Sequence, residues 1–219
     1  YRFCKKQGII SENPMSRIVS LKTSVKLPAF LEKESTEKLV SMVSSSDGFE
    51  HLRDAMIVLM FYTTGMRLSE LCSLTHQSVD ISKQTVRVHG KRNKERIIPL
   101  GSPLLNLLEK YLDAKKEYLK SYSIPNKTES LFVTTKGKPV YQRLVYEIVH
   151  SNLSGVSTLE KLSPHLLRHT FATQMLNEGA DLNAIKEILG HASLAATQVY
   201  THNTIEKLKS IYNQAHPRA

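Results

Sequence analysis

Residues 163–200 read SPHLLRHTFATQMLNEGADLNAIKEILGHASLAATQVY, and their punctuation leaves few ways to fold. Ser163 suits a helix N-cap, and Pro164 suits the first helical position, where its missing N–H costs no hydrogen bond. The helix that starts there runs to about Glu178 and stops at Gly179. Asp181 caps a second helix, Leu182 to Leu189, which stops at Gly190. Ser193 caps a further turn or two carrying Tyr200, and Thr204 caps a last helix, Ile205 to Gln214, ahead of Pro217. Such a run of short helices works on a surface that the rest of the chain must supply. It brings three histidines, an arginine and a terminal tyrosine to that surface.

The upstream residues read as that surface. Glu32 to Val43 has apolar residues at helical spacing, and Phe49 to Thr64 is a stronger helix with Leu52, Met56, Leu59 and Met60 on one face. Gly65 ends it in a left-handed conformation, and Arg67 stands at the start of a short helix, Ser69 to Leu74. From Val79 to Pro99 the period changes to two: Val79 and Ile81, then Val86 and Val88, alternate with polar residues, and Ile97 and Ile98 follow a turn at Gly90 to Lys94. This predicts a small antiparallel sheet with a basic hairpin. Pro103 to Leu119 is helical again, with an apolar stripe of Leu104, Leu107, Leu108, Tyr111 and Leu112. Leu131 to Val133 is read as a further short strand and Val140 to Leu153 as a further helix. At the other end, Tyr1 to Ile10 reads as the end of a helix and Ser16 to Pro28 as a linker. The fold class is therefore mainly α with a small antiparallel β-sheet. Residues 1–26 are expected to be the end of a truncated N-terminal domain plus linker, and residues 27–219 the main domain.

Composition narrows the partners. Thirty Lys and Arg face twenty Asp and Glu, a net charge of +10. An excess of this size is either a solvated basic surface or the footprint of a polyanion, whose phosphates Lys and Arg neutralise with release of counterions. Cys4 and Cys72 are far apart and in no metal-like spacing, which fits free thiols in a reducing compartment. The longest apolar run, Ala55 to Tyr62, is too short to span a bilayer. No membrane partner is expected.

His165, Arg168 and His169 stand at i, i+3 and i+4, so they share a helix face. Each basic residue has a plain explanation of its own. His191 can interact with a helix end, Arg67 can pair with Glu70, Lys91 can solubilise a hairpin tip, and Tyr200 can be a half-buried aromatic. Together they are more specific. Arg67, Lys91, His165, Arg168, His191 and Tyr200, with no clustered carboxylates, do not suit a metal nuclease, which holds Mg²⁺ with Asp and Glu. They suit metal-free phosphoryl transfer. Arginine forks match phosphate oxygens, histidine moves protons near neutral pH, and a tyrosine surrounded by cations becomes a usable nucleophile. No metal and no cofactor are expected. No glycine-rich phosphate loop of the G-x-x-x-x-G-K-[ST] kind is present in the sequence.

The blocks TTGMRLSEL (Thr63–Leu71), GKRNKERIIPL (Gly90–Leu100), PHLLRHTFAT (Pro164–Thr173) and LGHASLAATQVYTH (Leu189–His202), with the tail HPRA, resemble the tyrosine site-specific recombinases, and within them the Xer type. The resemblance covers the chain from about Leu31 to its last residue. Tyr1 to Lys26 is similar to the last helix of that family's core-binding domain and the interdomain linker.

The resemblance implies a tyrosine recombinase catalytic domain that cuts and rejoins double-stranded DNA through a 3′-phosphotyrosyl intermediate and a Holliday junction. Arg67 and Arg168 would clamp the scissile phosphate. His165 would contact it and assist in deprotonating the nucleophile, Tyr200. His191 would bond a non-bridging oxygen, and Lys91 would protonate the leaving 5′ oxygen. Glu70 would orient Arg67 or a histidine, and His169 would be structural. On the basic hairpin, Arg92, Lys94 and Arg96 are read as DNA contacts. A homo- or hetero-tetramer on two DNA sites is implied, with the tail helix docking on a neighbouring subunit, in the cytoplasm at the nucleoid. The rival readings are relaxation of the type IB topoisomerase kind and a catalytically silent DNA-binding protein of the same fold.

Overall fold

The computed structural model describes residues 1–17, 29–44, 48–90, 95–125, 128–190 and 210–216. After α1 (Arg2–Lys6) and a 3-10 turn (Pro14–Arg17), the main body begins with α2 (Lys33–Ser44), α3 (Phe49–Thr64) and α4 (Leu68–Cys72). A second 3-10 turn (His76–Ser78) leads into β1 (Val79–Asp80), β2 (Thr85–His89) and β3 (Glu95–Pro99). Four helices follow: α5 (Ser102–Ser121), α6 (Gln142–Ser154), α7 (Pro164–Asn177) and α8 (Leu182–Leu189).

α3 is the central post. The sequence suggests one apolar face, but of its 16 residues only Glu50, His51 and Asp54 are not buried. A helix that is apolar nearly all round belongs inside, because no side of it gains from water. Accordingly α2, α5, α6 and α7 all pack on it. α3 stops where its pattern stops: Gly65 takes φ +59 and its N–H bonds Phe61 O.

The sheet has the order β1-β2-β3, antiparallel throughout, with Val86 opposite Ile98 and Val88 opposite Arg96. Successive side chains of a strand point to opposite faces, so Val86 and Val88 turn into the core while Arg87 and His89 turn out. The expected strand at Leu131–Val133 is instead an irregular buried segment held by two single bridges, Thr75 to Ser130 and Val133 to Pro139. From α5, Lys115 Nζ bonds Leu131 O at 3.1 Å and the preceding Ser130 O at 2.8 Å, while Phe132 O accepts from the Val140 N–H.

Ser163 stands at the N-cap of α7 and Pro164 at its first position, although the Ser163 side chain makes no capping bond. Asp181 does cap α8, accepting from the N–H groups of Asn183 and Ala184. Residues 210–215 are helical. Of the described tail residues, Tyr212, Ala215 and His216 are buried in their own domain. The His216 ring stacks on Tyr212 at 5.0 Å and meets Tyr62 edge-on at 5.4 Å. Among the described residues no helix is long and apolar enough to cross a membrane.

Candidate active site

Three close approaches bring the basic residues together. α3 ends at Gly65 directly under α7 and α8. A Cβ at Gly65 would lie 2.7 Å from both Leu189 Cδ2 and Phe171 Cδ1, so only glycine permits this approach, and φ +59 favours it as well. Arg168, on α7, then reaches across and donates one Nη to Gly65 O. At the far side, Gly190 (φ +65) ends α8 with a left-handed turn laid against Arg96, whose Nη1 would be 3.1 Å from a Cβ there.

The end of α8 is the meeting point. Its last carbonyls have no intrahelical partner and form the negative end of the helix dipole. Three consecutive ones each accept from a different arginine. Arg96 Nε donates to Ile188 O at 2.6 Å, Arg168 Nη2 to Leu189 O at 2.7 Å, and Arg67 Nη2 to Gly190 O at 3.1 Å.

Glu70 is the counter-charge. It is only 3% exposed and accepts four hydrogen bonds. Arg67 supplies two, from its backbone N–H to Oε2 at 2.7 Å and from Nη1 to Oε1 at 2.8 Å. Arg96 supplies a two-pronged fork, Nη1 to Oε1 and Nη2 to Oε2, both at 2.8 Å. Burial alone would push this carboxyl up, but the Arg96 fork and the Arg67 bonds outweigh it and hold it down at about 2. Arg168 is lowered too, to about 10, first by burial, which disfavours its charge, and then by the neighbouring Arg67 and Arg96. It remains charged at neutral pH. Three guanidiniums and one carboxylate thus leave a surplus of positive charge in a site built from rigid elements. Arg67, with 35% of its side chain exposed, is the member with the most access to a ligand. The arrangement is chemically suited to a phosphate-sized anion.

The shared cationic face expected on α7 is only partly there. His165 and His169 are exposed, whereas Arg168 turns inward and is 8% exposed. Glu70 sits on Arg67 and Arg96 rather than on a described histidine. Arg96 departs most from expectation. Read as a DNA contact beside Arg92 and Lys94, it is instead 4% exposed, and its donors are engaged by Glu70 and Ile188. The strand itself gives the reason: Arg96 has the same parity as the buried Ile98, so both point inward. That parity was the signal available in the sequence. Lys91, Arg92, Lys94, His191 and Tyr200 lie outside the described residues.

A helical domain around a three-stranded antiparallel sheet, with arginines from α4, β3 and α7 converging on one helix end, is the catalytic-domain fold of a tyrosine recombinase. The chain belongs to the phage integrase family, which matches residues 29–207. Within that family its likeness is to the Xer type. It is 39% identical over 238 residues to the tyrosine recombinase XerC of Chlorobaculum parvum, covering 100% of this chain and 70% of that protein. The crystal structure of XerA recombinase superimposes with a TM-score of 0.65 at 30% identity, over 92% of this chain and 68% of that one. The XerH recombinase in its post-cleavage complex with a palindromic difH substrate gives 0.69 at 26% identity, over 91% and 54% respectively.

Proposed function

We propose that this chain catalyses site-specific recombination of double-stranded DNA by transient covalent attachment of a tyrosine to the cut strand. The observation that carries this reading is the three-arginine cluster around Glu70 and the end of α8, with Arg67 open to solvent. Its charge and fork geometry suit a phosphodiester, and the related XerH was captured on its DNA substrate after cleavage.

In this reading Arg67 and Arg168 hold the non-bridging oxygens of the scissile phosphate, and His191 adds a bond to the same group. Glu70 keeps Arg67 in place. The Tyr200 hydroxyl attacks phosphorus and gives its proton toward His165, which stands exposed in the first turn of α7. The bond to the 5′ oxygen breaks, and Lys91 protonates that oxygen as it leaves. One phosphodiester has been exchanged for another, so no external energy source is required. A free 5′-hydroxyl of a partner duplex then attacks the phosphotyrosine, and the proton transfers run in reverse. Arg92 and Lys94 contribute DNA contacts from the hairpin, and His169 a structural role.

Strand exchange of this kind calls for four subunits on two duplexes, which we include in the proposal, together with a place in the cytoplasm on the nucleoid. Tail docking on a neighbour carries over only for a chain that has first released Tyr212, Ala215 and His216 from its own core. Residues 1–26 are assigned to the end of a core-binding domain and its linker, and 27–219 to the catalytic domain.

The test uses a pool of nicked, sequence-randomised duplexes in which the fragment released on cleavage diffuses away. The expected result is a denaturant-resistant protein–DNA adduct that Tyr200→Phe abolishes. Binding without adduct, or an adduct that survives Tyr200→Phe, would overturn the reading.

A further inference from the structure

Arg96 has no part in the chemistry set out above, yet it joins Glu70 to the end of α8. Its guanidinium is spread in three directions. Nη1 and Nη2 grip both oxygens of Glu70, and Nε holds Ile188 O at the end of α8. The Gly190 turn lies against it, close enough that a Cβ there would come within 3.3 Å of three of its atoms. Arg96 lies on β3, and in register it is paired with Val88 of β2.

We infer that Arg96 is a positioning residue: from a single guanidinium it fixes Glu70, and through Glu70 the direction of Arg67, while tying β3 to the Gly190 turn at the end of α8. This rests on the reading that Arg67 grips the scissile phosphate.

The chemistry of the two groups supports it. Arg67 reaches each oxygen of Glu70 once, and the planar Arg96 fork adds a second bond to each, so that the carboxylate is held in one plane by four bonds. Arg67 takes its orientation from that carboxylate at two points, Nη1 and the backbone N–H. Lysine in place of Arg96 would keep the charge but could not hold both oxygens and Ile188 O together. Stability alone gives little reason for such a pair, because a buried ion pair adds little over a well-packed apolar one. A phosphate site does give a reason, since a displacement of about 1 Å in a positioning group costs on the order of 100-fold in rate.

The experiment compares wild type, Arg96→Lys and Arg96→Met on one nicked duplex recovered from the randomised pool. Single-turnover adduct formation is measured at saturating protein, and half-saturation is measured separately. Arg96→Lys is expected to slow cleavage about 10- to 100-fold while half-saturation moves by less than about threefold, because affinity is spread over many phosphate contacts. Among the described residues the charged groups facing Glu70 are Arg67 at the N-cap of α4, Arg96 from β3 and, at longer range, Arg168 from α7. Removing the Arg96 charge leaves burial less opposed, so Glu70 begins to take up a proton as pH falls. The wild-type to Arg96→Met rate ratio should therefore grow as pH is lowered toward about 4.5, the ordinary carboxyl value. A merely structural role would leave that ratio flat. If Arg96→Met does not fold, Arg96→Lys decides the matter. Cleavage by Arg96→Lys within about twofold of wild type, or a loss matched by an equal loss of binding, would overturn the inference while leaving the recombinase reading intact. Failure of wild type itself to form an adduct would overturn both.

Discussion

Replacing Glu70 by Gln removes the only carboxylate described among three arginines, and the cost can be worked from the structure. Glu70 titrates at about 2 in the folded chain against an ordinary value of 4.5. A shift of that size corresponds to about 3 kcal/mol at neutral pH by linkage, and to about 2–3 kcal/mol once screening at the exposed Arg67 edge is allowed for. Breaking one side of a buried pair typically costs about 3–5 kcal/mol, the same order. For a domain of this size the melting point should fall by roughly 5–10 °C. The pH dependence gives a sharper check. Because the folded value is the lower one, the stabilisation is fully present above about 4.5 and is lost as pH falls through that value toward about 2. At pH 4 about 0.8 kcal/mol of it should already be gone. Urea unfolding of wild type and Glu70→Gln at pH 7 and pH 4 should therefore give curves whose separation narrows toward acid. Equal stabilities at pH 7, or a separation that widens at pH 4, would refute this account of the cluster.

Other predictions address neighbouring points. Gly65→Ala should destabilise the fold by about 2–4 kcal/mol, from the left-handed backbone and from contact with Phe171 and Leu189, seen as a lower midpoint in urea. Arg168→Ala should abolish cleavage of the nicked duplex while leaving much of the DNA affinity by gel shift; a loss confined to binding would contradict its placement at the phosphate. Adduct formation should be undiminished in EDTA, and a requirement for a divalent ion would count against the proposed chemistry.

How much of this was legible in the sequence depends on how local each signal is. The end of α3 at Thr64 and both ends of α8 stand where Gly65, Asp181 and Gly190 put them, because capping is decided within a few residues. The three-stranded sheet was visible in the period-two runs around Val86, Val88 and Ile98. Less local properties were not legible. That α3 is buried all round depends on α2, α5, α6 and α7 closing over it. That the segment around residues 131–133 forms single bridges and not a strand depends on distant partners, Leu74 and Thr75 on one side and Pro139 and Val140 on the other. The site shows the same division. Arg67 and Arg168 could be named from their residue types and spacing and Glu70 from the family resemblance, but the direction of Arg168 and the inward fork of Arg96 follow from packing against α8, far along the chain. A charge count treats Arg96 as one more surface cation, and only strand parity hints otherwise.

The most direct measurement is to digest the covalent protein–DNA complex and sequence the modified peptide by mass spectrometry. The expected product is a nucleotide 3′-phosphate esterified to Tyr200, with a free 5′-hydroxyl on the released strand. A nucleotide on another residue, attachment through a 5′ phosphate, or a nick with no covalent peptide would contradict it.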